Sequence, residues 1–244
     1  QYGYEPGFQA HWRNLCQKIF DVSDLVICAS KSALSYYHKI YEIPAEKTKI
    51  IEHGISLDRE YDVPEIRMPG FPLKVGFVGA VAAYFKGREI IVELMEKCIR
   101  EQIEWHFFGV HSDLSNYLRL RKIRPRQKVF NHGYYEVGTL QSFLKKEKID
   151  VVILPSLMPE TFSFVLSEVW SAGIPVIVPD FVALGERVRR EGAGWIYPYG
   201  KRAEPILSIV NEIFERPESY REKLLALKHV KVRNLDDYIE DYAR

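Results

Sequence analysis

Residues 151–179, VVILPSLMPETFSFVLSEVWSAGIPVIVP, decide the fold. An apolar run from Val151 to Leu154 stops at Pro155, and a short loop carrying Glu160 follows. A helical pattern then holds Glu168 and closes at Gly173. A second apolar run, Ile174 to Val178, stops at Pro179. The order strand, loop, helix, strand is the repeating unit of a parallel sheet. Two carboxylates eight positions apart flank the loop-to-helix junction. Acids in so apolar a segment need a reason, because burying a charge is costly unless it is paired or hydrogen-bonded.

The same rhythm runs outward from this stretch. Upstream, strands are expected at Leu73–Val78, Trp105–Phe108 and Lys128–Phe130, with helices over about 86–100, 113–122 and 138–148. Downstream come a helix after Asp180, a strand Gly194–Tyr197, two helices over about 201–229 interrupted at Pro217, and an acidic amphipathic piece, Leu235–Tyr242. Strands alternating with helices at this spacing predict a doubly wound parallel sheet, an α/β fold. Ligands in such sheets sit beyond the carboxyl ends of the strands, so the loops 79–86, 109–113, 131–137 and 155–163 are the ones to watch. Before the sheet, apolar residues at helical spacing (Trp12, Leu15, Ile19, Phe20) predict a helix. A short strand lies within Asp24–Ser30, a Ser30-capped helix runs to about Tyr41, and a strand covers Thr48–Glu52. Residues 58–72, with Pro64, Pro69, Gly70 and Pro72 among charges, read as a linker.

The totals exclude several classes. Of 244 residues 47% are hydrophobic, ample for a packed core and against global disorder. A net charge of +1 gives no general reason to invoke nucleic acid. Cys16, Cys28 and Cys98 stand singly, which fits reduced thiols in a cytosolic protein better than a metal site or disulfide framework. No apolar stretch is long enough to span a bilayer, and no signal peptide is present. The chain starts at Gln1 rather than Met, so a piece of a longer protein is expected. Nucleophilic triads, HExxH and Cys/His metal spacings are absent, and Gly76 and Gly79 do not make GxGxxG.

Five places carry candidate chemistry, each with a plainer alternative. The loop Ser156–Ser163 opens a helix whose first amides, Phe162 to Leu166, suit an anion; the alternative is an ordinary Ser-capped helix. Glu168, one turn in, suits vicinal hydroxyls such as a ribose, and is otherwise a carboxylate that favours the positive end of the helix dipole; Glu160 suits sugar hydroxyls, and is otherwise a solvated loop acid. Lys86-Gly87 opens the helix after Gly79, where a cation reaches a diphosphate; the alternative is an exposed lysine. His132-Gly133-Tyr134-Tyr135 offers main chain and a ring to a base, or simply aromatics packed on a helix. His53-Gly54 is either a turn or a ligand-facing histidine. The basic run Arg119–Lys128 reads as a solvated helix end and loop, with a membrane-surface role weaker.

Pro159 to Ser163, Leu166 to Glu168 and Ser171 to Ile177 together resemble the E-x7-E region of family 4 glycosyltransferases, retaining nucleotide-sugar enzymes of the GT-B fold. Ser23–Ser30, Lys49–Asp58, Val75–Gly79 with Lys86-Gly87, and Asp150–Ser156 resemble further segments of that family, in order. Departures are Ala80 where the pattern has Arg, a loop to Lys86 one residue longer, and Thr161 where it has Gly. The resemblance implies a Rossmann-like C-terminal half of a GT-B fold with a short N-terminal βα extension. Residues 1–64 would be the remnant of the N-terminal half and the junction, 65–233 the nucleotide-sugar-binding domain, and 234–244 a C-terminal helix. It implies a glycosyltransferase of hexosyltransferase type, with Glu160 and Lys86 as catalytic groups. Donor binding would involve Gly79, Lys86, Gly133, Tyr134, Glu160, Thr161, Phe162, Ser163, Val165, Leu166 and Glu168. No metal or other cofactor is implied; the donor is the substrate. The implied partners are a nucleotide-sugar donor, a glycan, lipid or protein acceptor, and an acceptor-binding half in cis or in another chain. The implied setting is cytoplasmic, in surface polysaccharide or glycoconjugate synthesis, with peripheral contact at the inner face of the membrane. A degenerate binding module and a two-domain sugar-nucleotide epimerase are the alternatives.

Overall fold

The computed structural model describes residues 7–56, 67–109, 118 and 125–243. The expected loop beyond Gly109, the helix over 113–122 apart from Leu118, the basic run up to residue 124 and the linker up to residue 66 lie outside the described residues.

Six strands form one parallel sheet: β3 (Leu73–Val78), β4 (Ile103–Phe108), β5 (Lys128–Asn131), β6 (Val151–Ile153), β7 (Val176–Pro179) and β8 (Gly194–Tyr197). Their order is β5-β4-β3-β6-β7-β8. The central strands read as unbroken apolar runs because helices cover both faces of a parallel sheet. Leu73, Val75 and Phe77 of β3 and all of β6 are fully buried. The covering helices are α3 (Arg88–Lys97), α4 (Leu140–Glu147), α5 (Phe164–Ser171), α6 (Val182–Glu191), α7 (Glu204–Glu215) and α8 (Pro217–Leu227). Pro217 stands in the first turn of α8, where its missing N–H costs nothing. The chain leaves β3 on one side through β4 and β5, then returns to β6 on the other. This reversal opens a crevice beyond the carboxyl ends of β3 and β6; of the loops expected to bind, 79–86, 131–137 and 155–163 are described, and each follows a strand of the sheet at that end.

The N-terminal segment contains α1 (Phe8–Val22), β1 (Val26–Cys28), α2 (Lys31–His38) and β2 (Thr48–Ile50). β1 and β2 pair in parallel across α2, a βαβ unit. Ser30 caps α2 as expected, accepting from the Ala33 amide at 3.1 Å. α1 buries none of its residues, and Phe8, Trp12, Leu15, Ile19 and Val22 form an exposed stripe at heptad spacing.

The last helix, α9 (Leu235–Ala243), turns back onto this N-terminal segment. The Ile55 amide donates to the Arg233 carbonyl at 2.9 Å, Arg233 donates to the Glu52 carbonyl at 2.9 Å, and Tyr238 meets the His53 ring. At the opposite end of the sheet, buried Asp150 accepts from the Lys74 amide at 2.9 Å and from Arg67 at 2.6 Å, fastening the approach to β3.

Candidate functional site

Two loops meet at the mouth of the crevice. The first leaves β3 at Gly79, whose φ of 95° is a left-handed conformation; a Cβ built there would meet nothing within 4 Å. Backbone open on one side in this way lets another molecule approach closely. Tyr84–Lys86 make one 3-10 turn before α3. The second loop leaves β6 at Pro155, and the Leu157 amide donates to the Phe85 carbonyl at 2.8 Å, closing one loop on the other. This contact places Lys86 Nζ 2.6 Å from Glu160 Oε1. The expected pair of catalytic groups is thus one ion pair, with side chains 34% and 17% exposed.

The stretch after Glu160 is held by its carbonyls. The Glu160 carbonyl accepts from the Ala183 amide at 3.3 Å. The Thr161 carbonyl accepts from Ser30 Oγ at 2.8 Å. Arg187 donates to the carbonyls of Phe162 and Ser163 at 3.0 and 3.1 Å. A trans peptide points its N–H opposite to its C=O. Four carbonyls drawn inward therefore turn the amides of Thr161, Phe162, Ser163 and Phe164 the other way, and none of these amides meets an acceptor among the described residues. The alternative of a Ser-capped helix is corrected here. Ser163, at φ 69°, makes no side-chain cap bond to α5, so the free amides at its start, including those of Val165 and Leu166, keep the partial positive charge of a helix N-terminus.

Glu168 lies on the second turn of α5. No hydrogen bond or ion pair from a described residue holds its carboxylate, and burial alone raises its pKa above the ordinary glutamate value. Tyr135 lies within reach of that charge: its hydroxyl is pushed up to about 12, first by burial and then by Glu168. Tyr134, the expected base neighbour, is 66% exposed. The turn at Gly133 is pinned to the end of β4, its carbonyl accepting from the Gly109 amide at 2.6 Å. Lys86 and Glu160 thus meet directly and Tyr135 lies close enough to feel Glu168, whereas the Phe162 and Leu166 side chains are buried and leave only main chain to a ligand.

Beneath the Gly133 turn, His106 Nδ1 and His132 Nε2 lie 2.9 Å apart, with the rings of Phe130 and Phe108 stacked on either side. Burial, then the charges of His132 and Lys74, hold His106 at about 4, against a small opposing effect of Glu147; Glu104 Oε2 lies 3.6 Å from its Nε2. The imidazole is therefore neutral in the fold at neutral pH. A folded pKa below the unfolded 6.5 means that the unfolded chain takes up the proton first, so stability is complete above pH 6.5 and falls as pH drops toward 4. The expected loss is about 3 kcal/mol over that window. Urea midpoints measured across it should fall in wild type and flatten in His106→Gln.

Sequence reasoning missed Ser30 as a support of the loop, and it missed Arg187. Arg187 shares the apolar side of α6 with Ala183, Leu184 and Val188, at spacings of three and four. A charge on the buried stripe of a helix was the available signal. His53, left open as a ligand or a turn residue, packs among Phe162, Phe164 and Tyr238 and so supports the loop from behind. A cavity of about 260 Å³ lies beside Thr161, lined in part by Phe20, Tyr37, His53 and Tyr242.

A family model described as Glycosyl transferases group 1 matches residues 72–215. An uncharacterized glycosyltransferase of Methanocaldococcus jannaschii is 29% identical over 187 residues, 71% of this chain and 47% of the relative. The chain thus spans about half the length of that curated relative. Among solved structures, Anabaena HepE in complex with UDP and glucose matches with a TM-score of 0.75 at 17% identity, covering 97% of this chain and 66% of that one. Sucrose-phosphate synthase from Thermosynechococcus elongatus matches with a TM-score of 0.73 at 20% identity, covering 96% and 60%. At such identities the likeness carries the fold alone, a parallel α/β sheet flanked by helices, as the sequence led one to expect.

Proposed function

The chain belongs to the group 1 glycosyl transferases, and on that premise we propose that it is the donor-binding portion of an enzyme that moves a hexose from a nucleoside diphosphate to an acceptor, with retention at the anomeric carbon. The observation that carries this reading is the Lys86–Glu160 pair at 2.6 Å, set against the outward-turned amides of residues 161–164. A donor meets each half of that arrangement. Its diphosphate takes Lys86 and the amides at the start of α5, its sugar takes Glu160, and its ribose takes the unpartnered Glu168. The base lies at the Gly133-Tyr134 turn. Catalysis then rests on holding the donor in place and on stabilising the departing diphosphate with fixed dipoles and one cation. None of these roles calls for a metal.

UDP is the first nucleotide to test, because HepE is described in complex with UDP and UDP-glucose. An acceptor half, in cis or in another chain, would cover the exposed stripe of α1 and complete the cavity beside Thr161. We place the reaction in surface polysaccharide or glycoconjugate synthesis at the cytoplasmic face of a membrane, by family analogy; no helix among the described residues is long and apolar enough to cross one. Titration calorimetry of the chain against nucleoside diphosphates and their sugars tests the reading. Micromolar binding of one base series is expected, and binding of none sinks it.

Ala80 favours a second reading, a module that binds a donor without turnover. The nearest arginine in the chain, Arg88, is engaged with Glu89 and the Ala82 carbonyl. Donor binding with neither transfer nor donor hydrolysis in the protein carrying its acceptor half would select it.

A further inference from the structure

We propose that Arg187 is a positioning residue for the donor diphosphate: it draws the Phe162 and Ser163 carbonyls inward, thereby turns the next two amides outward as an anion cradle, and adds its own charge behind them. The proposal rests on the donor-site reading above and assigns a task that the reading does not need.

Arg187 is 4% exposed, and no carboxylate of a described residue lies within ion-pair distance of its guanidinium. Its contacts are two carbonyls, Ser167 Oγ at 2.8 Å, and the rings of Phe162 at 4.0 Å and Trp170 at 5.2 Å. Its Nε has no hydrogen-bond partner among the described residues. Glu52, Glu186 and Glu191 act on it only from a distance. A buried charge without a counter-ion is a liability for stability, and an apolar residue of similar volume generally serves packing better. The placement makes sense if the counter-charge arrives with a ligand.

Geometry says where that ligand sits. Arg187 holds the carbonyls on either side of the Ser163 amide, and Ser163 is kept at φ 69°, a conformation that a serine adopts only when its surroundings impose it. The cradle is therefore an imposed shape, and the group that imposes it is itself positive. An anion at the start of α5 meets oriented amides and an unneutralised charge in a region of low dielectric. The neighbouring residue extends the design: Glu186 accepts from the amides of Lys31 and Ser32, so the same turn of α6 anchors α2, whose cap Ser30 holds the Thr161 carbonyl.

The test compares UDP, inorganic pyrophosphate and uridine on the whole chain, by calorimetry and ligand-observed NMR, for wild type, Arg187→Met and Arg187→Lys. In Arg187→Met, UDP and pyrophosphate should weaken on the order of tenfold or more, as for loss of charge-assisted donors, while uridine is unchanged and the thermal midpoint is equal or higher. Lysine keeps the charge but not the fork, so it should restore part of the pyrophosphate affinity. A merely structural role would move UDP and uridine together, and that result, or unchanged pyrophosphate binding, overturns the proposal alone. If Arg187→Met does not fold, Arg187→Lys carries the test: phosphate-selective weakening supports the proposal, and its absence overturns it. Wild type that binds neither UDP nor pyrophosphate overturns the donor-site reading as well.

Discussion

Replacing Gly87 with alanine is expected to destabilise the chain by about 4 kcal/mol, the sum of a strained backbone and a steric clash. Gly87 has φ 84°, and a Cβ built on it would lie 2.1 Å from the Pro155 carbonyl oxygen and 2.9 Å from Pro155 Cγ. The nearest atom is backbone, so no side chain can swing aside. Pro155 itself is fixed at the end of β6, where the flanking Leu154 amide bonds the Ile177 carbonyl. Relief must come from the first loop, and it separates Phe85 from Leu157 and hence Lys86 from Glu160. Loss of thermal stability should therefore accompany weaker diphosphate binding. Lys86→Ala is the control, since it removes the cation without touching the contact: its binding should fall while its thermal midpoint stays near wild type. Normal stability in Gly87→Ala would show that the two loops are not held together as described.

How much of this was legible beforehand depends on the range of the interaction. Val151–Leu154 and Leu73–Val78 announced buried parallel strands, because helices on both faces leave no polar alternation. Glu160 and Lys86 were legible as neighbours because each sits close after a strand end, and topology then brings strand ends together. Ranges drifted by a few residues where local sequence is ambiguous: the strand expected from Ile174 starts at Val176, since Pro175 has no N–H to give the sheet. The supports of the site were not legible. Ser30 lies 131 residues from Thr161, and Glu186 lies 154 residues from Ser32, so no local pattern links them. Which of Tyr134 and Tyr135 lies near Glu168 was not legible, because adjacent tyrosines in a loop differ only in direction, which the backbone decides; the one influenced by Glu168 is Tyr135. The return of α9 onto the N-terminal segment was hidden for the same reason, although Gly54 marks it: a Cβ there would lie on the Asn234 carbonyl.

Glu168→Gln should move binding and stability in opposite directions. The carboxylate has no partner among the described residues, and burial raises its pKa, so the free fold bears a desolvated charge that it does not use. Glutamine removes that charge in the same volume. The thermal midpoint of the free chain should stay level or rise, as happens when a residue kept for function is replaced. UDP binding should weaken roughly tenfold to a hundredfold, the range for hydrogen bonds to a charged acceptor, about 1.5–3 kcal/mol. A double comparison isolates the contact. If the ribose hydroxyls are what Glu168 holds, UDP lacking both of them should bind wild type as weakly as UDP binds the variant, and the variant should not distinguish the two ligands. The raised pKa adds a check by pH: the affinity of wild type should begin to fall on acidification before an ordinary glutamate would protonate, and the variant should show no such fall. Equal discrimination in both proteins would remove the ribose from Glu168 and leave its isolation in the fold to be explained by another ligand atom.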